Sequence, residues 1–154
     1  MYNRIKAIEY AQKYVYNYNS AYYNFSSIGG DCTNFVSQCV LAGDKNMDYS
    51  PNGWFYNSPQ SRSPAWTSVE DFWNYGLNGK SFKIIEVDIE RLEIGDIVQF
   101  YNPRTHRYYH NVIITKIIYP ISIRNILVTS HDNNAYNKSL AMYGNIIHRF
   151  GKII

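Results

Sequence analysis

The sequence predicts an α+β protein in which N-terminal helices cover one face of an antiparallel sheet. Apolar residues recur at three- and four-residue spacing in the first half of the chain, whereas short β-rich runs separated by turn residues follow Gly79. Helices first and strands afterwards are typical of this class. A length of 154 residues is sufficient for one domain, residues 1–154, with a hydrophobic core.

The first helix is predicted over residues 3–18, with Ile5, Ile8, Val15 and Tyr18 along its buried stripe and Ala11 or Gln12 between them. The second is predicted at 32–42, since Asp31 suits an N-cap and Gly43 suits the position after a helix. Its apolar face comprises Phe35, Val36, Cys39 and Val40.

Residues 44–65 are rich in turn-forming residues and predict a long irregular segment that carries Trp54, Phe55 and Tyr56. Long loops on small domains often face the substrate. A third helix is predicted to begin near Thr67, where Thr67-Ser68-Val69-Glu70 matches a capping box. Its predicted buried face comprises Val69, Phe72, Trp73 and Leu77. Strands are predicted at 82–87, 97–101, 112–119, 126–130 and 146–154.

Composition excludes several classes of protein. Hydrophobic residues make up 45% of the chain and charged residues 18%, which argues against a disordered chain. Fifteen Lys and Arg against twelve Asp and Glu give a net charge of +3, and the basic residues are scattered. A nucleic-acid partner is therefore not expected, because its binding site would concentrate positive charge.

No apolar run approaches the roughly 20 residues of a membrane span, so no transmembrane segment is expected. The first 18 residues are interrupted by charges and lack the apolar core of a signal peptide. An excised domain would look the same, so localisation stays open.

Cys32 is the candidate nucleophile. In the first turn of a helix its pKa should be lowered by the positive end of the helix dipole, and the free N–H groups there could stabilise an oxyanion. The alternative for Cys32 is a small buried apolar residue, which is the interpretation favoured for Cys39. Seven helical residues span about 10 Å, too far for a disulfide, so both cysteines are expected to be free thiols. No structural zinc site or cofactor is expected.

His110 is the candidate general base, because it opens a predicted strand that could aim its imidazole at the helix N-terminus. Its alternative is a polar residue at the end of the preceding turn. His106 is expected in that turn and His148 on the sheet surface. A third polar group should orient the base, and His131 and Asp132 both qualify, although a continuing strand would direct them to opposite sides. The HDNN run also suits a simple turn.

Five segments of the chain form a recognisable set. They are GGDCTNFVSQCVLAG, Trp66 within SPAWTSV, LEIGDIVQFY, HNVIIT and SHDNNAYNKSL, in this order from the first helix to about Tyr143. Together they resemble the putative amidase domain, a family found largely in Firmicutes. That family is similar to the NlpC-type and CHAP-type cysteine peptidases and amidases. The resemblance therefore implies a papain-like fold with the nucleophilic cysteine at a helix N-terminus.

Position by position, the resemblance implies that Cys32 is the nucleophile, His110 the general base and His131 the orienting residue, with Asp132 as the alternative. Asp31 and Asn34 would have structural or oxyanion-supporting roles. Trp54 and Trp66 are candidates for substrate contact.

The function implied is a cysteine-dependent amide or peptide hydrolase that forms a thioester and acts on cell-wall (peptidoglycan) peptides or similar small amides. The family typically occurs in secreted or wall-associated proteins. A silent or weakly active peptide- or glycan-binding module of the same fold is the alternative, and acyl transfer would use the same residues. The oligomeric state is left open. The 16 tyrosines could line a groove for an uncharged polymer or reflect codon bias.

Overall fold

A computed structural model describes residues 1–154 and confirms the α+β class, with helices packed on an antiparallel sheet. The helices are α1 (Arg4–Tyr14), α2 (Cys32–Ala42), α3 (Pro64–Thr67) and α4 (Val69–Asn78). A small hairpin pairs β1 (Tyr56–Ser58) with β2 (Ser61–Arg62). The main sheet comprises β3 (Ile84–Glu86), β4 (Ile97–Asn102), β5 (Arg107–Ile117), β6 (Ile126–Ser130), β7 (Ala135–Ser139) and β8 (Ile147–Ile153).

The six strands of the main sheet lie in the order β3-β8-β4-β5-β6-β7, and every neighbouring pair is antiparallel. Both faces of this sheet are buried. Ile113 of β5 joins the core beneath the helices, whereas its neighbours Val112 and Ile114 join a second apolar cluster. This alternation follows from the two-residue period of a strand. Short 3-10 segments help to cover the second cluster, for example through Leu140.

Helix α1 is shorter than predicted, and its buried stripe matches the prediction at Ala11 and Val15 but not at Ile5. It ends at Tyr14, and its buried residues are Ala7 and Ala11, followed by Val15, whereas Ile5 is 54% exposed. Small alanine side chains allow α1 to lie close to the rest of the core, a preference that a stripe of large apolar residues does not reveal. None of the four helices has the length and apolarity needed to span a bilayer.

The 44–65 segment contains more order than predicted. Asp48 and Trp54 form a β-bridge, and the β1-β2 hairpin follows. Trp54 and Trp66 are both fully buried, and their indole N–H groups donate to Ser37 Oγ and Asn34 Oδ1 at 3.0 and 2.8 Å. This burial corrects the prediction that the two tryptophans contact substrate. They pack against α2, where each indole nitrogen finds a hydrogen-bond partner inside the core.

The strand predictions differ in detail. Strand β6 is confirmed at 126–130, but β7 was not predicted, because Asn and Lys are uncommon in strands. Strand β5 begins at Arg107, so His110 lies within the strand and does not open it. Helix α4 begins after Ser68, whose Oγ accepts from the Asp71 N–H, and Leu77 on that helix is 49% exposed.

Candidate active site

The thiol of Cys32 lies at the start of α2. Gly29 and Gly30 precede it with φ of +83° and +103°, a backbone conformation that glycine adopts without strain. They turn the chain so that the first N–H groups of α2 point toward the loop after β6. Cys32 is 7% exposed, whereas Cys39 on the same helix is fully buried in the core, and both are free thiols as predicted.

Asp132 caps α2 from a distant part of the chain. Its carboxylate accepts from the backbone N–H of Asp31 at 2.9 Å and from that of Cys32 at 3.1 Å. Gly30 leaves room for this contact, because a Cβ there would lie 2.7 Å from Asp132 Oδ2. The Asp31 side chain, which the sequence suggested as the N-cap, makes no capping hydrogen bond. The Cys32 N–H, which could hold an oxyanion, therefore already holds a carboxylate.

His110 completes a cluster of three chemically different groups. The Cys32 sulfur, a ring nitrogen of His110 and a carboxylate oxygen of Asp132 all lie within 4.8 Å of one another. A thiol, an imidazole and a carboxylate at such distances can exchange protons after small side-chain rotations. The same three donor types also bind transition metals, so this cluster could hold a metal ion.

Burial sets the protonation state of the thiol. It raises the pKa of Cys32 to about 11, while a hydrogen bond from the Asn111 backbone lowers it and the nearby Asp132 carboxylate raises it further. The expectation of a lowered pKa for Cys32 is therefore wrong, although a hydrogen bond from the Thr33 backbone in the first turn of α2 does act in the expected direction. The physical reason is that desolvation disfavours the thiolate and that Asp132 already neutralises the positive end of α2.

The imidazole of His110 is also neutral. Burial lowers its pKa to about 4, against an opposing effect of Asp132 that raises it and a further lowering by the Lys138 charge. At neutral pH the site therefore contains a protonated thiol beside an uncharged imidazole. Asp132 influences both groups, and it favours the charged form of His110 while disfavouring that of Cys32.

His131 lies in a different environment from His110. It is 1% exposed, with its ring stacked between Tyr18 and Phe35 at centroid distances of 3.7 and 3.9 Å. Its Nδ1 pairs with Asp31 Oδ2, and its Nε2 lies 2.9 Å from the Tyr14 carbonyl oxygen. Both ring nitrogens are thus engaged away from His110. The structure brings Asp132, the alternative, to the cluster.

Asp31 and Asn34 form a buried network beneath the cluster. The Asp31 Oδ1 atom accepts from the Phe25 N–H and from the Asn34 side-chain amide. The same amide donates to the Tyr23 carbonyl, and its oxygen accepts from the Trp66 indole. These contacts hold the loop before α2 against the first turn of that helix.

Two clefts open on either side of the turn after His131. One, of about 420 Å³, is lined by His110, Asp132, Lys138 and aromatic side chains. The other, of about 550 Å³, is lined by Gly30, Asp132 and polar residues of the same turn. Asp132 and Asn133 line both clefts, so the two clefts adjoin at this turn. Both residues have φ above +60°, consistent with the Asp and Asn in the HDNN run.

The capping of α2 by Asp132 is the functional feature that sequence reasoning missed. The relevant signals were present: two glycines before Cys32 and a turn-forming Asp-Asn-Asn run. The two segments come together through a contact between Cys32 and Asp132, which are 100 positions apart, and local sequence patterns do not specify such a contact.

The fold thus brings the start of α2, strand β5 and the turn after β6 together at one cluster beside a cleft. The chain belongs to the family described as "Putative amidase domain", whose model matches residues 1–153. It is 35% identical over 118 residues to "Uncharacterized protein YhbB" of Bacillus subtilis (strain 168), a match that covers 73% of this chain and 37% of that protein.

A second match is "Uncharacterized protein YjcM" of the same organism, at 30% identity over 114 residues, which covers 73% of this chain and 24% of that protein. The matched region is thus well under half the length of either relative. No solved structure matches the chain.

Proposed function

We propose that this domain is a cysteine-dependent amide hydrolase in which Cys32 is the nucleophile and His110 the general base. The observation that carries the proposal is the approach of the Cys32 sulfur, a His110 ring nitrogen and an Asp132 oxygen to within 4.8 Å of one another. Membership of an amidase family supports the same reaction. A papain-like ancestry shared with the NlpC-type and CHAP-type enzymes is part of this proposal.

In the proposed reaction His110 accepts the thiol proton as the Cys32 sulfur attacks the amide carbonyl carbon. The tetrahedral intermediate collapses when the C–N bond breaks, and the imidazolium gives its proton to the departing amine. Water then attacks the thioester and transfers a proton to His110. The C–S bond then breaks and releases the carboxylic acid product, and the His110 imidazolium returns its proton to the Cys32 sulfur, which restores the neutral pair.

Asp132 has a double role in this proposal. In the free protein its carboxylate occupies the Cys32 N–H, which is the donor that a substrate oxygen would need. Rotation of the carboxylate toward His110 would release that donor, lower the pKa of Cys32 and raise the pKa of His110. A single side-chain movement would thus prepare both the nucleophile and the base, and Asp132 takes the orienting role first considered for His131.

His131, Asp31 and Asn34 are positioning residues in this scheme. Each is at most 1% exposed and hydrogen-bonded within the protein, so none contacts substrate directly. Together they fix the loop before α2 and the turn that carries Asp132. The two clefts beside that turn would receive the two sides of the substrate amide.

We propose cell-wall peptides or similar short amides as the substrate, on the resemblance described above. The test is digestion of purified wall material by the wild-type domain, Cys32→Ala and the control Cys39→Ala, with products identified by mass. We expect the same products from wild type and Cys39→Ala and none from Cys32→Ala. Identical release by Cys32→Ala would overturn the cysteine mechanism, and no release by wild type would remove the wall substrate.

The second candidate is a binding module of the same fold without turnover. It is favoured by the neutral thiol and imidazole and by the occupied Cys32 N–H. Under that alternative, wild type and Cys32→Ala would bind wall peptides equally and release nothing. Parallel digestion with EDTA tests a metal at the cluster, because a metal-dependent reaction would stop and the thiol reaction would continue.

A further inference from the structure

The cleft beside His110 has the dimensions of a ligand site. Its volume of about 420 Å³ lies in the range of small-molecule pockets. Phe100, Tyr109 and Tyr143 supply aromatic surface, while His110 and Asp132 place the reactive cluster at its edge. A substrate group bound in this cleft would therefore lie beside the reactive cluster, close to the amide bond that is cleaved.

Lys138 provides the permanent positive charge of this cleft. It projects from β7, and its Nζ lies 4.1 Å from the centroid of the Tyr143 ring, which fixes the ammonium against the wall. No carboxylate lies within ion-pair distance of this ammonium. Lys138 and His110 line the same cleft, and the Lys138 charge contributes to the lowered pKa of His110.

The acidic side chain that lines the same cleft is already engaged. The Asp132 carboxylate accepts hydrogen bonds from the N–H groups of Asp31 and Cys32. The cleft thus presents an unpaired cation, whose desolvation a bound anion would compensate.

We propose that this cleft is a subsite for a carboxylate of the substrate and that Lys138 recognises it. The proposal rests on the proposed amide hydrolysis and adds that the preferred amides carry a free carboxylate close to the cleaved bond. The ammonium would pair with the carboxylate and donate charge-assisted hydrogen bonds to it. Lys138 would then determine which amides are bound and in which orientation.

The test measures binding separately from turnover. Cys32→Ala, labelled with ¹⁵N, is titrated with two pairs of acetylated probes that differ only in one carboxylate. The first pair is acetyl-glutamyl methylamide and acetyl-glutaminyl methylamide, and the second is acetyl-alanyl-alanine and its C-terminal amide. We expect the acid of at least one pair to bind about tenfold more tightly, with resonance shifts along β7, and we expect added salt to reduce that preference.

In the Cys32→Ala background, the further substitution Lys138→Gln should reduce the ratio of acid affinity to amide affinity to about one. Lys138→Arg in the same background should retain the preference for the acid. Lys13→Gln is the matched control, because Lys13 also lies over a tyrosine ring but does not line the cleft, and it should leave the preference unchanged. Equal binding within both pairs would overturn the subsite, as would a preference that persists in Lys138→Gln.

The digestion experiment keeps this result separate from the proposed function. Cleavage that depends on Cys32, together with equal binding of acid and amide, would remove the subsite and keep the hydrolase. Selective binding of acids that depends on Lys138, without turnover by wild type, would keep the subsite and remove the hydrolase.

Discussion

Cys32 is held as a neutral thiol by its surroundings. Burial raises its pKa to about 11, and the Asp132 carboxylate adds to that effect. The helix N-terminus alone would favour the thiolate, but the N–H groups of Asp31 and Cys32 are already bonded to a carboxylate. Reactivity at this residue therefore depends on where the Asp132 side chain lies.

We predict that Asp132→Asn accelerates alkylation of Cys32 by iodoacetamide at pH 8, because it removes a negative charge that opposes the thiolate. In wild type the rate should keep rising with pH beyond the range of an ordinary thiol. Mass spectrometry of the modified peptide gives the rate at each pH. Asp71→Asn on α4 is the control for a general loss of negative charge. The prediction would be contradicted if Asp132→Asn and wild type showed the same dependence of alkylation rate on pH.

His110 gives the molecule an acid-sensitive point. Its folded-state pKa of about 4 lies below its usual 6.5, so the unfolded chain binds a proton that the folded chain excludes. Above about pH 6.5 the imidazole is neutral in both states and does not lower the free energy of unfolding. As pH falls from 6.5 toward 4, that free energy decreases, because only the unfolded chain gains the proton.

We predict that His110→Gln loses less stability between pH 7 and pH 4.5 than wild type does, by roughly 2 kcal/mol. Denaturant unfolding at the two pH values measures the difference. His148, whose pKa burial also lowers, should account for part of the remaining slope. The exposed His106 serves as the control, and equal slopes in wild type and His110→Gln would count against a buried neutral imidazole.

At the scale of elements, the N-terminus of α2 is capped by Asp132, which lies in the turn after β6. Gly30 and Gly29 test this contact as a matched pair, because both have positive φ and both would be strained as alanine. Only at Gly30 would the new Cβ meet Asp132 Oδ2, whereas nothing lies within 4 Å at Gly29. A comparison of the two substitutions therefore separates backbone strain from loss of the cap.

We predict that Gly30→Ala destabilises the fold by about 1 kcal/mol more than Gly29→Ala, which is the usual effect of losing an N-cap. It should also speed alkylation of Cys32, because the displaced carboxylate no longer faces the thiol. Urea unfolding and the same alkylation assay give both readouts. Equal stability and equal alkylation rates in the two variants would show that Asp132 does not cap α2.

Local patterns predicted α2 and β6 well, because a helix bracketed by Asp31 and Gly43 and a β-branched run are encoded by neighbouring residues. They were right only in part at α1, where Ala7 faces the core and Ile5 does not, and they failed at β7, where a polar strand is stabilised by pairing with β6. In each failure the decisive contact comes from a residue distant in sequence, so the amino-acid pattern alone does not contain it.

At the candidate site, too, local patterns predicted some features, and contacts between distant residues decided the others. The sequence identified Cys32, His110 and Asp132 as candidates by residue type and motif, and the fold brings these three together. It also suggested that His131 orients the base, but that ring is buried between two aromatic side chains and pairs with Asp31. Two adjacent polar residues could not be distinguished without knowing which way the turn directs each one.

On the scale of the whole molecule, Arg4 joins the two ends of the chain. Its guanidinium pairs with Asp96 at 2.5 Å and donates to the carbonyls of Ile94 and Ile153. Asp96 is fully buried and also accepts from the Ile153 N–H, so α1, β4 and β8 meet at one carboxylate. Burial raises the pKa of Asp96, and the Arg4 contact opposes that rise.

We predict that Arg4→Met lowers the free energy of unfolding by about 3 kcal/mol, because it leaves a buried carboxylate without its cation. Lys6→Met on the same helix is the matched control, since Lys6 pairs with Asp44 where both side chains are about half exposed. That surface pair should contribute nothing measurable. Guanidinium chloride unfolding at pH 7 compares the variants, and Asp96→Asn should recover part of the loss in Arg4→Met by removing the unpaired charge. Equal stability of Arg4→Met and Lys6→Met would mean that the chain ends are held by apolar packing alone.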